Sequence, residues 1–399
     1  MSEGRRTQHL APSVPGWPKF DEDEIQAVEA VLRSGKVNYW TGEQARLFER
    51  EYAAHTGTQY GIALANGTVS LELALAQIGV GPGDEVITTP RSFVASANCI
   101  VLRGARPIFA DVDLNSQNIT AASIERVLTP ATKAIICVHL GGWPCEMDAI
   151  MELAQARGIA VIEDCAQAHG ARFKGRPVGG WGTFGSFSFC QDKIITTGGE
   201  GGMLVTNDYA AWQWCWSYKD HGKSYDAVYH RSHGVGFRWL HESFGTNWRM
   251  TEVQAAIGRL QLQKLSRWVE ARRRNAGILI DELQNLDAVR VPVPEGECYH
   301  SYYRFYLFVR PEALRNGWSR DRIVAEVSAR GVPCLTGSCS EIYLEKAYRD
   351  AGLAPRQRLP NARVLGDTSI AMLVHPTLST DDMMRAADAL KAVLALAQR

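Results

Sequence analysis

The sequence predicts an α/β fold: a large domain on a mixed, mostly parallel sheet, followed by a smaller α+β C-terminal domain. Three observations predict it. Short apolar runs alternate with amphipathic stretches between residues 60 and 207, the pattern of strands joined by crossover helices. A long stretch of helical periodicity begins at Thr251. Beyond residue 286 the pattern changes to strand, helix and strand, closed by a last helix. The 399 residues also exceed what one hydrophobic core usually supports.

In chain order, residues 1–20 read as an irregular arm, 21–265 as the large domain and 266–399 as the small one. Strands are predicted at 85–88, 107–111, 134–139, 160–163, 185–189 and 203–206, and another ends just before Asn66. Helices at 70–78, 92–103 and 146–157 lie between them. The helix from Thr251 runs on through ARRRNAGILIDELQ, across the expected boundary near residue 265. In the small domain VRVPVP (289–294) and SYYRFYLFVR (301–310) read as strands. There SRDRIVAEVSARG (319–331) and residues 381–397 read as helices.

Hydrophobic residues make up 46% of the chain and charged residues 22%, with 43 basic and 43 acidic side chains. That zero balance argues against nucleic-acid or membrane-surface partners, while leaving room for a local phosphate pocket. No run approaches the roughly 20 apolar residues that span a bilayer, and the first residues hold no apolar stretch of signal-peptide length. The nine cysteines form no CxxC pair, and no histidine cluster accompanies Cys334 and Cys339. We therefore expect reduced thiols in a cytoplasmic protein and no metal site.

Four segments carry the chemistry. In ALANGTVSLELAL (63–75) a strand turns at Asn66-Gly67-Thr68 into a helix, whose N-terminus suits a phosphate; an ordinary capped helix looks the same. In VIEDCAQAHGA (161–171) Asp164 follows a strand, where it either pairs with a cationic ring nitrogen or caps a helix. Gln167 there can donate to a phenolate oxygen, and His169 reads as a structural histidine. In GSFSFCQDKIITTGGEGG (185–202) Ser186 and Ser188 face one side of a strand that leads to Lys193. A solvated lysine needs no such bracket, whereas a lysine that bonds an aldehyde does. Phe93, in PRSFVASAN, either stacks on a flat ring or packs on the sheet. Asn247 and Arg249, in FGTNWRMTEVQAAIG, are either functional or a turn residue and a surface charge.

Taken in order, NGTVSLELAL, EDCAQAHGA, SFSFCQDKIITTGGEGGM and GTNWRMTEVQAAIG resemble the DegT/DnrJ/EryC1/StrS family of sugar aminotransferases over about residues 15–395. The resemblance implies a fold type I transferase that uses pyridoxal 5′-phosphate (PLP) and works as a homodimer. By motif match, Lys193 resembles the Schiff-base lysine, Asp164 the partner of the ring nitrogen and Gln167 the contact to the ring hydroxyl. Gly67, Thr68 and Ser188 resemble the phosphate cradle, Phe93 the stacking aromatic, and Asn247 the asparagine that reaches the phosphate from the neighbouring subunit.

The implied activity is transfer of an amino group from L-glutamate or glutamine to a keto sugar, nucleotide-linked, in polysaccharide or secondary-metabolite biosynthesis. Alternatives are an aminotransferase for a free cyclitol ketone, a PLP-dependent sugar dehydratase and a PLP-binding regulator. Dehydrating relatives carry histidine in place of the lysine, and no basic helix marks a DNA-binding domain. The sequence departs from the common pattern at TTGGEGG, at the long aromatic stretch 222–241 and at 334–343. We expect the last two on the substrate side, with Tyr229 and Trp239 as substrate contacts.

Overall fold

The computed structural model describes residues 14–399. Most of the arm expected over 1–20 thus lies outside the described residues. Its remainder has no helix or strand, and Trp17 packs edge-on against Trp268.

Seven strands form the main sheet. From edge to edge they are Tyr60–Leu64, Gly202–Thr206, Phe184–Ser188, Ala160–Asp164, Thr132–Val138, Glu85–Thr88 and Arg106–Phe109. Gly202–Thr206 runs antiparallel to both neighbours, and the other pairings are parallel. The alternation in the sequence thus produced a mixed, mostly parallel sheet, with strand ends within two residues of those predicted. Ala134, Ile136 and Ile162 pack with Leu71 and Leu75, while Ile135, Cys137 and Val161 pack with Ile150 and Ala154. Successive residues feed opposite faces, so both faces of the sheet are covered. The ends of Tyr60–Leu64, Ala160–Asp164 and Phe184–Ser188 lie along one edge, where ligands of open α/β sheets bind.

Helix Glu252–Leu283 begins with a capping box between Thr251 and Gln254. Leu265 and Val269 pack with Phe189 and Met203. Ala276, Leu279 and Leu283 pack with the C-terminal sheet. The helix passes residue 265 unbroken and changes core between Val269 and Ala276.

The C-terminal sheet is antiparallel, in the order Val289–Arg290, Phe305–Val309, Ser369–Met372 and Cys334–Leu335. Two predicted strands are shorter than expected. The stretch 289–294 pairs only at Val289–Arg290, because Pro292 and Pro294 bring no N–H to a ladder. The stretch 301–310 pairs only from Phe305. Ahead of it the Ser301 N–H donates to the Gly142 carbonyl at 3.1 Å, and Tyr302 adopts φ +47°. Gly142 has φ +97°, and a Cβ there would lie 2.6 Å from Ser301 Oγ and 2.9 Å from the Tyr302 nitrogen. Only glycine permits this approach. The clamp turns Tyr303 and Arg304 out of the strand and towards the main sheet.

Burial pushes His169, His300 and His375 down to about 3 from 6.5. An unfolded chain protonates these rings below about pH 6.5, whereas the fold keeps them neutral to about pH 3. Their contribution to stability is therefore complete above pH 6.5 and is lost as pH falls. The slope is up to about 1.4 kcal/mol per pH unit for each ring. We expect the urea midpoint to drop markedly between pH 7 and pH 5; an unchanged midpoint would mean that the folded rings do take up protons.

Candidate active site

A cleft of about 920 Å³ opens at the strand ends, between the main sheet and the C-terminal sheet. Gly67, Thr68, Phe93, Asp164, Gln167, Ser188 and Lys193 all line it. These residues span more than 120 positions of sequence, and the sheet order brings their strands side by side.

Asp164 ends its strand and is 5% exposed. One carboxylate oxygen accepts from Ser96 Oγ at 2.7 Å and the other from the Ala166 N–H at 3.1 Å. Ser92 Oγ lies 3.0 Å from Ser96 Oγ, so the two hydroxyls form a chain that ends on the carboxylate. No arginine, lysine or histidine forms an ion pair with Asp164 among the described residues. Burial raises its pKa, against the opposing pull of Ser96, the Ala166 N–H and Lys193. A desolvated carboxylate without a cation favours a cationic ligand.

The neighbouring residue, Glu163, belongs to a closed network. It accepts from the N–H groups of Gly179, Trp181 and Gly182 at 2.6 to 2.8 Å. His139 Nδ1 accepts from the Cys145 N–H at 2.9 Å, so Nε2 carries the proton and donates to Glu163 at 3.1 Å. With Cys165 these side chains lie close enough to hold a metal. The acceptor atoms of Glu163 and His139 are already engaged, the Cys165 thiol donates to the Glu163 carbonyl at 3.7 Å, and the network fixes the strand end that carries Asp164. His169 is satisfied in the same way, donating from Nε2 to the Ser188 carbonyl at 2.8 Å and accepting from Tyr52 at 2.7 Å.

Lys193 sits in the turn after Phe184–Ser188 with a side chain 15% exposed. Its Nζ lies 3.3 Å from Asp192 Oδ1 and 3.5 Å from Tyr303 Oη, and 4.9 Å from the Tyr303 ring centre. Burial pushes the amine down, but Tyr303 and Asp192 together outweigh it and hold the pKa above its usual value. In the chain by itself Lys193 is thus an ammonium, held so by its neighbours against the pull of burial. Tyr303 donates in turn to Asp192, and Trp17 Nε1 donates to the Lys193 carbonyl at 2.8 Å.

Helix Gly67–Ile78 points its N-terminus into the cleft. Asn66 caps it, taking the Val69 N–H on its side chain at 3.0 Å and the Ser70 N–H on its carbonyl. The N–H groups of Gly67 and Thr68 are the ones left for an anion. A Cβ on Gly67 would lie 2.6 Å from Ser188 Cβ, so the glycine lets the helix mouth meet the serine. Gln167 accepts the Gly141 N–H at 2.8 Å on its side-chain oxygen, which leaves its amide NH₂ to donate into the cleft. Phe93 is exposed in the cleft. It precedes its helix, Ala95–Leu102, which starts three residues later than the predicted 92–103.

Three predicted residues are elsewhere. Asn247 pairs with Asp220 in a β-bridge and does not line the cleft of its own chain. Nearby, Arg249 is no surface charge: its guanidinium binds buried Asp220 at 2.5 Å. Tyr229 and Trp239 also stay out of the cleft of their own chain. Lys223 bridges His241, which closes the segment into an outward loop, and Tyr225 and Tyr229 pin its base to Trp216. Trp239 is 84% exposed. The stretch 334–343 does reach the cleft, through Leu335, Gly337, Ser338 and Cys339. Sequence reasoning missed Ser96, Asp192, Tyr303 and Arg304. A serine and an acid near the motifs carry no distinctive signal, and Tyr303 and Arg304 were read as strand.

These groups fit PLP. A glycine-lined helix mouth with Ser188 suits a phosphate, an unpaired buried carboxylate suits a protonated ring nitrogen, and a cleft-facing lysine suits an aldehyde.

Comparison with known proteins agrees with this chemistry. The DegT/DnrJ/EryC1/StrS aminotransferase family matches residues 18–391. GDP-perosamine synthase of Escherichia coli O157:H7 is 36% identical over 377 residues, 94% of this chain and 94% of that protein. UDP-N-acetyl-3-dehydro-alpha-D-glucosamine 3-aminotransferase of Acidithiobacillus ferrooxidans is 35% identical over 92% of this chain and 94% of that protein. The X-ray structure of an aminotransferase from Psychrobacter cryohalolentis has a TM-score of 0.95 at 52% identity, covering 96% of this chain and 99% of that one.

Proposed function

From the premise that the chain belongs to the DegT/DnrJ/EryC1/StrS family of PLP-dependent sugar aminotransferases, we propose that it moves an amino group from L-glutamate or glutamine to a nucleotide-linked keto sugar. The observation that carries this reading is the meeting of Lys193, Asp164 and the Gly67–Thr68 helix mouth in one cleft of about 920 Å³. That volume is at the upper end for small-molecule sites, which leaves space for a substrate beside the cofactor. The relatives named above act, by their names, in nucleotide-sugar chemistry.

When bound, PLP supplies an aldehyde and an electron-withdrawing ring that stabilises charge on the adjacent carbon. Gly67, Thr68 and Ser188 would bind its phosphate, Phe93 would cover the ring and Gln167 would donate to the ring hydroxyl. Asp164, held by Ser96 and the Ala166 N–H, would keep the proton on the ring nitrogen. Lys193 would hold the aldehyde, and with a donor amine in its place its Nζ would carry the proton between the donor Cα and the acceptor side. Tyr303 and Asp192 hold that ammonium in place between the two transfers.

The reading includes a homodimer in which Asn247 reaches the phosphate of the partner's site. Val235, Phe237, Trp239 and Phe244, in the segment that leads to Asn247, are exposed apolar side chains, and a second copy covering them would explain why they are apolar. An active monomer in solution would remove this part. The function itself is tested by half-reactions. Protein loaded with amine should be returned to the aldehyde form by nucleotide-linked keto sugars and not by cyclitol ketones, read from the cofactor's absorbance. Conversion by a cyclitol ketone alone would move the assignment to that class.

A further inference from the structure

We infer that Arg304 anchors the α-carboxylate of the amino donor and so sets donor specificity. The inference rests on the reading above, that the donor is an amino acid and Lys193 the amine it displaces.

The charges around the cleft are unbalanced. Five lining side chains are carboxylates: Glu72, Asp164, Asp192, Glu200 and Glu345. The lining holds two cations, Lys193 and Arg304. Lys193 is taken by the aldehyde and the helix mouth by the phosphate. An amino acid donor brings at least one more anion into this acidic cleft. Among the described residues that line it, Arg304 is the cation left to receive that anion.

Arg304 has donors to spare. A guanidinium carries five N–H donors in a planar fork. Its hydrogen bond runs from Nη2 to Asp192 Oδ2 at 3.3 Å, and the group lies over the Tyr303 ring at 4.5 Å. The side chain is 16% exposed, and none of its nitrogens is buried without a partner. The unused donors therefore reach solvent, on a side chain that lines the cleft.

The spacing identifies the anion. Lys193 Nζ and Arg304 Nη2 grip opposite oxygens of one carboxylate, each at 3.3 Å from Asp192. Both face the same Tyr303 ring. The guanidinium and the reacting amine thus lie one bridging carboxylate apart, with a hydrogen-bond length on either side of it. In an amino acid only Cα separates the α-carboxylate from the nitrogen. A donor nitrogen at Lys193 therefore brings its α-carboxylate to Arg304, whose fork matches two carboxylate oxygens. The diphosphate of a nucleotide sugar is several bonds from the ketone carbon and lies further out while that carbon faces Lys193.

The test uses the PLP-loaded enzyme and two ligands read by calorimetry. One is 2-methyl-L-glutamate, which has no Cα proton to lose. The other is 4-aminobutyrate, which is glutamate without its α-carboxylate. Arg304→Ala should weaken binding of 2-methyl-L-glutamate by roughly 100-fold and binding of 4-aminobutyrate by much less. Arg304→Lys should recover part of the loss, and Arg304→Gln, which keeps the bulk, should recover none. Cofactor content equal to wild type in each variant shows that the fold and the phosphate site are intact. Equal losses for both ligands would overturn the inference, since Arg304 would then act through Lys193. So would a loss confined to the keto-sugar half-reaction, which would assign the anion site to the diphosphate. If the wild-type enzyme accepts no amine from any amino acid, the underlying functional reading fails. If it does, and Arg304→Ala leaves the preference unchanged, this inference alone fails.

Discussion

Lys193→Ala should lower turnover by at least about three orders of magnitude, because one side chain serves as both nucleophile and proton carrier. The variant should still take up PLP, since the helix mouth, Ser188, Gln167 and Asp164 are untouched. Borohydride treatment of the loaded wild-type protein should fix the cofactor on a peptide containing Lys193, and the variant should show no such fixation. Label on any other lysine would displace Lys193 from its role. Among the described residues Lys264 is similarly buried but is held by Asp21, Asp23 and Glu24, and Lys219 is fully buried. It lies 3.6 Å from the Tyr39 ring centre and 3.4 Å from Glu49, and it does not line the cleft.

Asp164→Asn should reduce the rate of both half-reactions by about two to three orders of magnitude, while cofactor content stays close to wild type. Losing one fixed electrostatic partner of a developing charge costs about 10² to 10³ in rate. The shape of the residue is conserved, and an asparagine oxygen can still accept from Ser96. What is lost is the negative charge, and with it the protonated ring nitrogen. The absorbance of the loaded variant should shift accordingly. Near-normal rates would reduce Asp164 to a hydrogen-bonding strand end. Loss of the cofactor itself would show that the carboxylate binds more than it activates.

The two variants fail differently for a physical reason. In its proposed role Lys193 supplies a bond and a mobile proton, so removing it removes steps. Asp164 supplies a fixed charge in a desolvated place, so removing it raises the barrier of every step that puts charge on the ring. A comparison of cofactor content with single-turnover rates separates the two.

The meeting of the candidate site residues was legible in the sequence because their signals are local. The turn at Asn66-Gly67-Thr68, the acid after an apolar strand and the lysine between FSF and TTGGEGG each lie within a few residues of their cues. The strand periods were legible too, since alternate residues of a buried parallel strand feed two covered faces. Those signals also determined the mixed sheet and the order in which the motifs arrive at its edge.

Only the tertiary structure decided what surrounds Lys193. Tyr303 and Arg304 lie 110 and more positions away, inside a stretch whose pattern reads as strand. The close approach of Gly142 to Ser301 and Tyr302 turns them into the cleft, and no periodicity encodes a contact of that separation. The same applies to the hydroxyl of Ser96 on Asp164, 68 residues apart. It applies again to the loop 223–241, whose aromatic residues suggested a substrate wall. The Lys223–His241 bridge and the packing of Tyr225 on Trp216 hold that loop out of the cleft of its own chain. Composition states what a segment can bind; the contacts of its two ends decide which way it faces.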